Sequence, residues 1–278
     1  MKRLLLVLLM CAPVWAANNF IGDPNCVAWY RFEPGALETD SSTNGNTLTN
    51  SGVDSNTVDV REGAGSAVFL KANDDYMTRA DASLSANFPG KNGTSNTTFS
   101  VCFWFKMKTL PVGGSPDWAF QRIVGKLESS HYSWACGTHL SSSPVVGAVQ
   151  NMIIGNGTTT AKNVDNTTRL LSVDVWYHAA YTYEGVGGNW HVRLYDTSNS
   201  TIYDRTGVEV TLMGVGTSAL WLGRRSTALE EYNGVLDEAV IFNDVLTTEE
   251  IDAISGATYG APTGPIEGNA FQMYYNPN

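Results

Sequence analysis

The sequence predicts an all-β fold, a two-sheet antiparallel sandwich with one short C-terminal helix, on three observations. Short aromatic and β-branched runs are separated by clusters of Gly, Asn, Asp, Ser and Pro, the pattern of strands joined by turns. Several runs alternate with period two: Phe99, Val101, Phe103 and Phe105 lie on one face, and Ser100, Cys102 and Trp104 on the other. Helical periodicity is sparse until Thr247, where Thr247-Thr248-Glu249-Glu250 forms a capping box ahead of Ile251, Ala253 and Ile254, with Gly256 to stop the helix.

The elements follow in order. Lys2 and Arg3, the apolar run Leu4 to Met10 and the small residues before position 17 read as a secretory leader cut after Ala16. That run is too short to span a bilayer core of roughly 30 Å, so no membrane span is expected. Eleven strands are expected: 26–32, 67–70, 76–79, 99–108, 121–126, 132–138, 145–154, 176–184, 190–196, 219–222 and 235–242. The run 176–184 is apolar or aromatic on both faces, as a central strand between two layers would be. One domain is expected over 17–258, with a loosely attached tail over 259–278, where Pro and Gly replace periodicity.

Segments Tyr30-Arg31-Phe32, Asp74-Asp75-Tyr76, Phe99 to Phe105, Trp176-Tyr177-His178-Ala179 and Gly234 to Phe242, taken in that order, resemble the laminin-G-like, pentraxin-related jelly rolls of concanavalin A type. The strongest piece is Gly234-Val235-Leu236-Asp237-Glu238, followed by a turn containing Leu246 and the Thr247 to Ile254 helix. The resemblance covers roughly residues 26 to 256 and implies a jelly-roll sandwich closed by that strand, with the helix plugging one end through Leu246, Ile251 and Ile254. It also implies calcium at the rim, held by carboxylate and carbonyl oxygens. Asp74, Asp75 and Asp237 are the candidate ligands, and each has a structural alternative as a turn cap or an acceptor from loop amides. Pentraxins carry Glu-Gln-Asp after the Leu-Gly of the penultimate strand, whereas this chain has Leu222-Gly223-Arg224-Arg225-Ser226. Guanidinium groups thus stand where those relatives hold cations.

Charge and cysteine content narrow the function. With the leader removed, 15 basic and 27 acidic side chains remain, net −12, which opposes phosphate backbones and excludes nucleic acid as a partner. Three cysteines remain, Cys26, Cys102 and Cys136; in an oxidising compartment two are expected to pair, and the sequence leaves open which two. Asp237 and Glu238 are neighbours in a strand, so their carboxylates face opposite ways unless a bulge intervenes, and the sequence carries no alternating carboxylate pair of the glycosidase kind. The expectation is a secreted, non-catalytic module recognising glycan through aromatics in or beside loops. Trp118, His131, Tyr132, Trp134 and Trp190 are the ring candidates, with Arg224 and Arg225 beside them, and strand-starting Trp134 and Trp190 are equally readable as core. A structural or adhesive protein working through contacts with a cell-surface or extracellular protein is the alternative, and a polysaccharide-active enzyme the third.

Overall fold

The computed structural model describes residues 17–112, 119–128, 131–142, 147–226 and 230–260. The leader, most of the tail and Trp118 lie outside these residues. Fifteen strands and one α-helix occur among them: β1 Cys26–Tyr30, β2 Thr49–Ser51, β3 Asp54–Asn56, β4 Ser66–Phe69, β5 Tyr76–Arg79, β6 Phe99–Met107, β7 Phe120–Glu128, β8 His131–Ser141, β9 Gly147–Gly155, β10 Thr160–Asp165, β11 Trp176–Tyr183, β12 Asn189–Tyr195, β13 Thr201–Val208, β14 Leu220–Leu222, β15 Gly234–Phe242 and α1 Thr248–Ser255. All eleven expected strands are present. The four additional ones, β2, β3, β10 and β13, are polar and flank the sheets, so their burial pattern gives no apolar alternation to read.

Two antiparallel sheets face each other. The first runs β13-β12-β11-β6-β15-β4-β3, with β1 also paired to β15, and the second runs β10-β9-β8-β7-β14-β5-β2. β15 divides its edge between two partners: residues 234–236 bond β4, and residues 239–242 bond β1. Between the sheets lies the main core, with Phe99, Val101, Phe103, Phe105, Tyr181 and Tyr183 from the first sheet against Trp134, Cys136, Met152, Ile154, Leu220 and Leu222 from the second. The period-two reading of β6 therefore holds residue for residue.

Trp134 has no solvent exposure and stacks on Phe99 at 5.0 Å, and Trp190 is 4% exposed within the same core. Both occupy the sandwich interior, where strand alternation turns them inward. The cysteines are also placed against expectation: Cys26, Cys102 and Cys136 are all free and buried. Cys26 and Cys102 belong to a cluster on the outer side of the first sheet, while Cys136 belongs to the inter-sheet core. Burial pushes all three thiols above their ordinary range, which keeps them protonated.

The outer faces differ. α1 begins with the expected capping box, Thr247 and Glu250 exchanging bonds with each other's backbone N–H. It does not plug an end of the sandwich: Leu246, Ile251 and Ile254 lie across the outer face of the first sheet, on Cys102, Ala180, Tyr195, Val240 and Phe242. Phe20 and Tyr259 join this layer, their rings 5.0 Å apart, and Asn19 donates to the Tyr259 carbonyl at 2.9 Å. On the outer face of the second sheet Leu127, Ala135 and Ile153 form a small buried cluster with Tyr132 packed against it.

Candidate functional site

Strand register assembles the open face of the second sheet. Trp221, Gly125, Ala135, Ile153 and Asn163 are cross-strand partners in one continuous row over β14, β7, β8, β9 and β10. Core residues on either side of Trp221, Leu220 and Leu222, point inward, so alternation turns this row outward. Its middle positions carry a hydrogen and a methyl, and a Cβ at Gly125 would stand only 2.8 Å from the Ala135 Cα. Gly125, Ala135 and Ile153 are themselves buried, with Tyr132 packed against the last two and Trp221 half-buried at the other flank.

Each flank carries guanidinium groups laid over rings. Arg224 lies 3.5 Å from the Tyr76 ring centroid and 5.0 Å from that of Trp221, and its other partner is Asp74. Trp221 is held in turn by Nε1, which donates to Glu128 at 2.9 Å. On the opposite flank Arg225 lies 5.2 Å from the Tyr132 ring and donates to its hydroxyl at 2.7 Å and to Glu230 at 2.9 Å. Arg122, wholly buried, stands 4.1 Å over Phe120 and donates to Glu230 and to Asn151. Asn151 passes the network on to Asp165 at 2.8 Å, which His139 contacts at 3.1 Å. Phe120, Arg122, Tyr132, Arg225 and Glu230, with Ile153, line a recess of about 210 Å³.

The expected residues therefore divide. Tyr132, Arg224 and Arg225 come together on this face. His131 is exposed at the start of β8, beside Gly216, while Trp134 and Trp190 are core. Phe120, Arg122 and Asn151 adjoin these residues without having been singled out as ligand residues, and Glu230, which with Glu231 could have replaced the pentraxin acids, is held by arginines instead. The signal that could have found Arg122 is its place directly before the apolar Ile123-Val124 of a core strand, since a charged residue is seldom buried unless paired.

The three carboxylates expected at a calcium site point three ways. Asp74 is taken by Arg224. Asp75 is 3% exposed and accepts from the Leu70 N–H at 2.9 Å. Asp237 lies in the other sheet, accepting from the backbone of Arg61, Glu62 and Glu238 at 2.8, 3.2 and 2.9 Å. No group of three His, Cys, Asp or Glu suited to a metal occurs among the described residues, so these side chains do not fit a shared ion.

Asp237 and Glu238 meet the condition set for sharing a site, because a bulge interrupts the β15–β6 register after Asp237 and Glu238 adopts φ +48°. Both are buried, and both feel the charge of Glu62. Their partners are the chain's own, however: Glu238 accepts from Trp29 Nε1 at 2.6 Å. Two larger recesses exist, one of about 540 Å³ where β12 and β13 meet the start of α1, and one of about 760 Å³ beside the Ala17 segment. The first is lined by Trp190 and the second by Trp104, both core rings.

Comparison with known proteins agrees with this architecture. The family model for the concanavalin A-like lectin/glucanases superfamily matches residues 72–252. No curated protein matches the sequence. Among solved structures, domain 4 of AbnA, an extracellular GH43 arabinanase from Geobacillus stearothermophilus in complex with arabinotriose, superposes with a TM-score of 0.56 at 14% identity, covering 83% of this chain and 98% of that one. The binding domain of Paraclostridial Mosquitocidal Protein 1 gives 0.55 at 16% identity, and that of Botulinum neurotoxin serotype G gives 0.54 at 16%. Each matches 83% of this chain, which spans 52% and 50% of those toxin chains respectively. At such identities the likeness is one of fold.

Proposed function

The chain belongs to the concanavalin A-like lectin/glucanases superfamily, and from that premise we propose that it is a secreted, non-catalytic module that binds glycan on the open face of its second sheet. The observation that carries this reading is the pair of ring-and-guanidinium groups, Tyr76–Trp221–Arg224 on one flank and Tyr132–Arg225 on the other, the second bordering the recess. Half-buried rings offer apolar faces to sugar C–H groups, and the guanidiniums and Asn163 supply donors that fix orientation. Glu230 is clamped between Arg122 and Arg225, which suits a structural counter-ion and not a proton donor.

The same residue types anchor protein interfaces, so the second reading is contact with an extracellular protein through this face. Thermal unfolding against a panel of soluble polysaccharides separates the two, because a ligand of the native state raises the midpoint by mass action. The glycan reading expects one polymer to raise the midpoint, and Trp221→Ala to weaken that binding about tenfold, the worth of one ring contact. A panel without any effect would remove the glycan reading and leave the protein contact.

A further inference from the structure

The recess between Phe120, Arg122, Tyr132, Arg225 and Glu230 holds an unbalanced charge. Two guanidiniums share one carboxylate: Arg122 and Arg225 both bond Glu230, and the side chains of Arg122, Arg225 and Glu230 are 2%, 12% and 5% exposed. Burying a cation without its counter-charge is costly. The Arg225 Nε is buried and has no hydrogen-bond partner among the described residues, and the same is true of the Arg224 Nε on the opposite flank. Asp165, the next acid along, is engaged through Asn151 and His139, and Asp74 is half exposed at the outer end of Arg224. A site in an acidic protein that concentrates cations in this way is built for an anion, which a guanidinium recognises with directed N–H groups.

We propose that the recess takes the anionic substituent of an acidic sugar, so that the face binds acidic glycans in preference to neutral ones. The proposal rests on the glycan reading given above and deepens it. The sugar ring lies on Tyr132, and its anion completes the charge balance of Arg122, Glu230 and Arg225.

The test compares one polymer in two charge states. Affinity electrophoresis or calorimetry of the mature protein with polygalacturonate and with its methyl ester changes the charge and little else; neutral arabinan and galactan, and sulfated dextran, complete the set. The expected result is at least tenfold tighter binding of polygalacturonate than of its ester, weakening as salt is raised, and loss of that preference in Arg225→Gln with residual binding to the ester retained. Equal affinity for acid and ester, or binding of the neutral polymers alone, would overturn this inference and leave the glycan reading standing. Binding confined to sulfated dextran keeps the anion site and assigns it to sulfate esters. Failure of every polymer would overturn both. If Arg225→Gln does not fold, the acid-against-ester comparison on the unaltered protein decides by itself.

Discussion

Asp237 is a carboxylate fixed by three backbone N–H groups and yet sealed from water. Its burial pushes its pKa up to about 8, the three donors pull it down, and the charge of Glu62 raises it again. Glu238 is pushed up by burial, then by Glu62 and Asp237, with Trp29 and Arg31 acting the other way. The folded chain therefore holds protons that the unfolded chain releases near pH 4, so this cluster favours folding fully at low pH and loses that contribution as pH rises toward 8. Urea midpoints at pH 5 and pH 8.5 are expected to fall less in Asp237→Asn than in the unaltered protein. An equal fall in both would refute the assignment. The aromatic residues give a second contrast: Trp134→Ala should cost about 3–5 kcal/mol of stability, as a large core deletion does, whereas Trp221→Ala on the open face should cost well under half of that by denaturant titration. At this scale the sequence was legible wherever one residue type has one ordinary environment, as for Phe99 to Phe105. It was not legible for Trp134 and Trp190, since a strand-starting Trp suits a rim or a core equally and only the path of the neighbouring strands decides.

β14 shows how little of an element a site requires. Its three residues, Leu220 to Leu222, put two leucines into the core and one tryptophan on the face, and the turn after it delivers Arg224 and Arg225 to opposite flanks. α1 is the converse case, legible from its capping box yet misplaced in space, because the sequence of an amphipathic helix fixes which side is apolar and not which surface it covers. Its cap can be tested directly: Thr247→Ala removes the acceptor for the Glu250 N–H and should lower stability by about 1 kcal/mol, read from the denaturation midpoint. No change would mean that packing on Phe242 and Tyr195 alone holds the helix. The bulge in β15 left no mark in the sequence beyond two adjacent acids, and it is visible only once the β6 register breaks. Short polar strands such as β2 and β10 escaped for a related reason: edge strands make few apolar contacts and so need no alternation.

Taken whole, the molecule has two unlike outer faces. One is sealed by α1 together with Phe20 and Tyr259, which ties both ends of the described chain to the sheet. The other carries no helix among the described residues and gathers rings and guanidiniums around a small buried cluster, in a protein whose formal charge is −10. No helix among the described residues is long and apolar enough to cross a membrane. Because Asp74, Asp75 and Asp237 are engaged separately, chelator is expected to leave the thermal midpoint where calcium leaves it, and a rise with calcium would point to ligands other than these three. The fold and the arginine pair were legible in the sequence, as the departure from the pentraxin Glu-Gln-Asp pattern drew notice to Arg224 and Arg225. Their partners were not, because Phe120 and Arg122 sit together in β7, far along the chain from Arg225 and Glu230, and meet them only through pairing of β14 with β7 and the bond from the Arg122 N–H to the Glu230 carbonyl. The most direct measurement is a backbone amide NMR titration of the mature protein with short galacturonate oligomers. Shifts concentrated on the outward residues of β5, β14, β7 and β8, around Tyr76, Trp221, Gly125 and Tyr132, are the predicted result. Shifts confined to the β12–β13 recess at the start of α1, or none anywhere, would contradict the open sheet face as the binding surface.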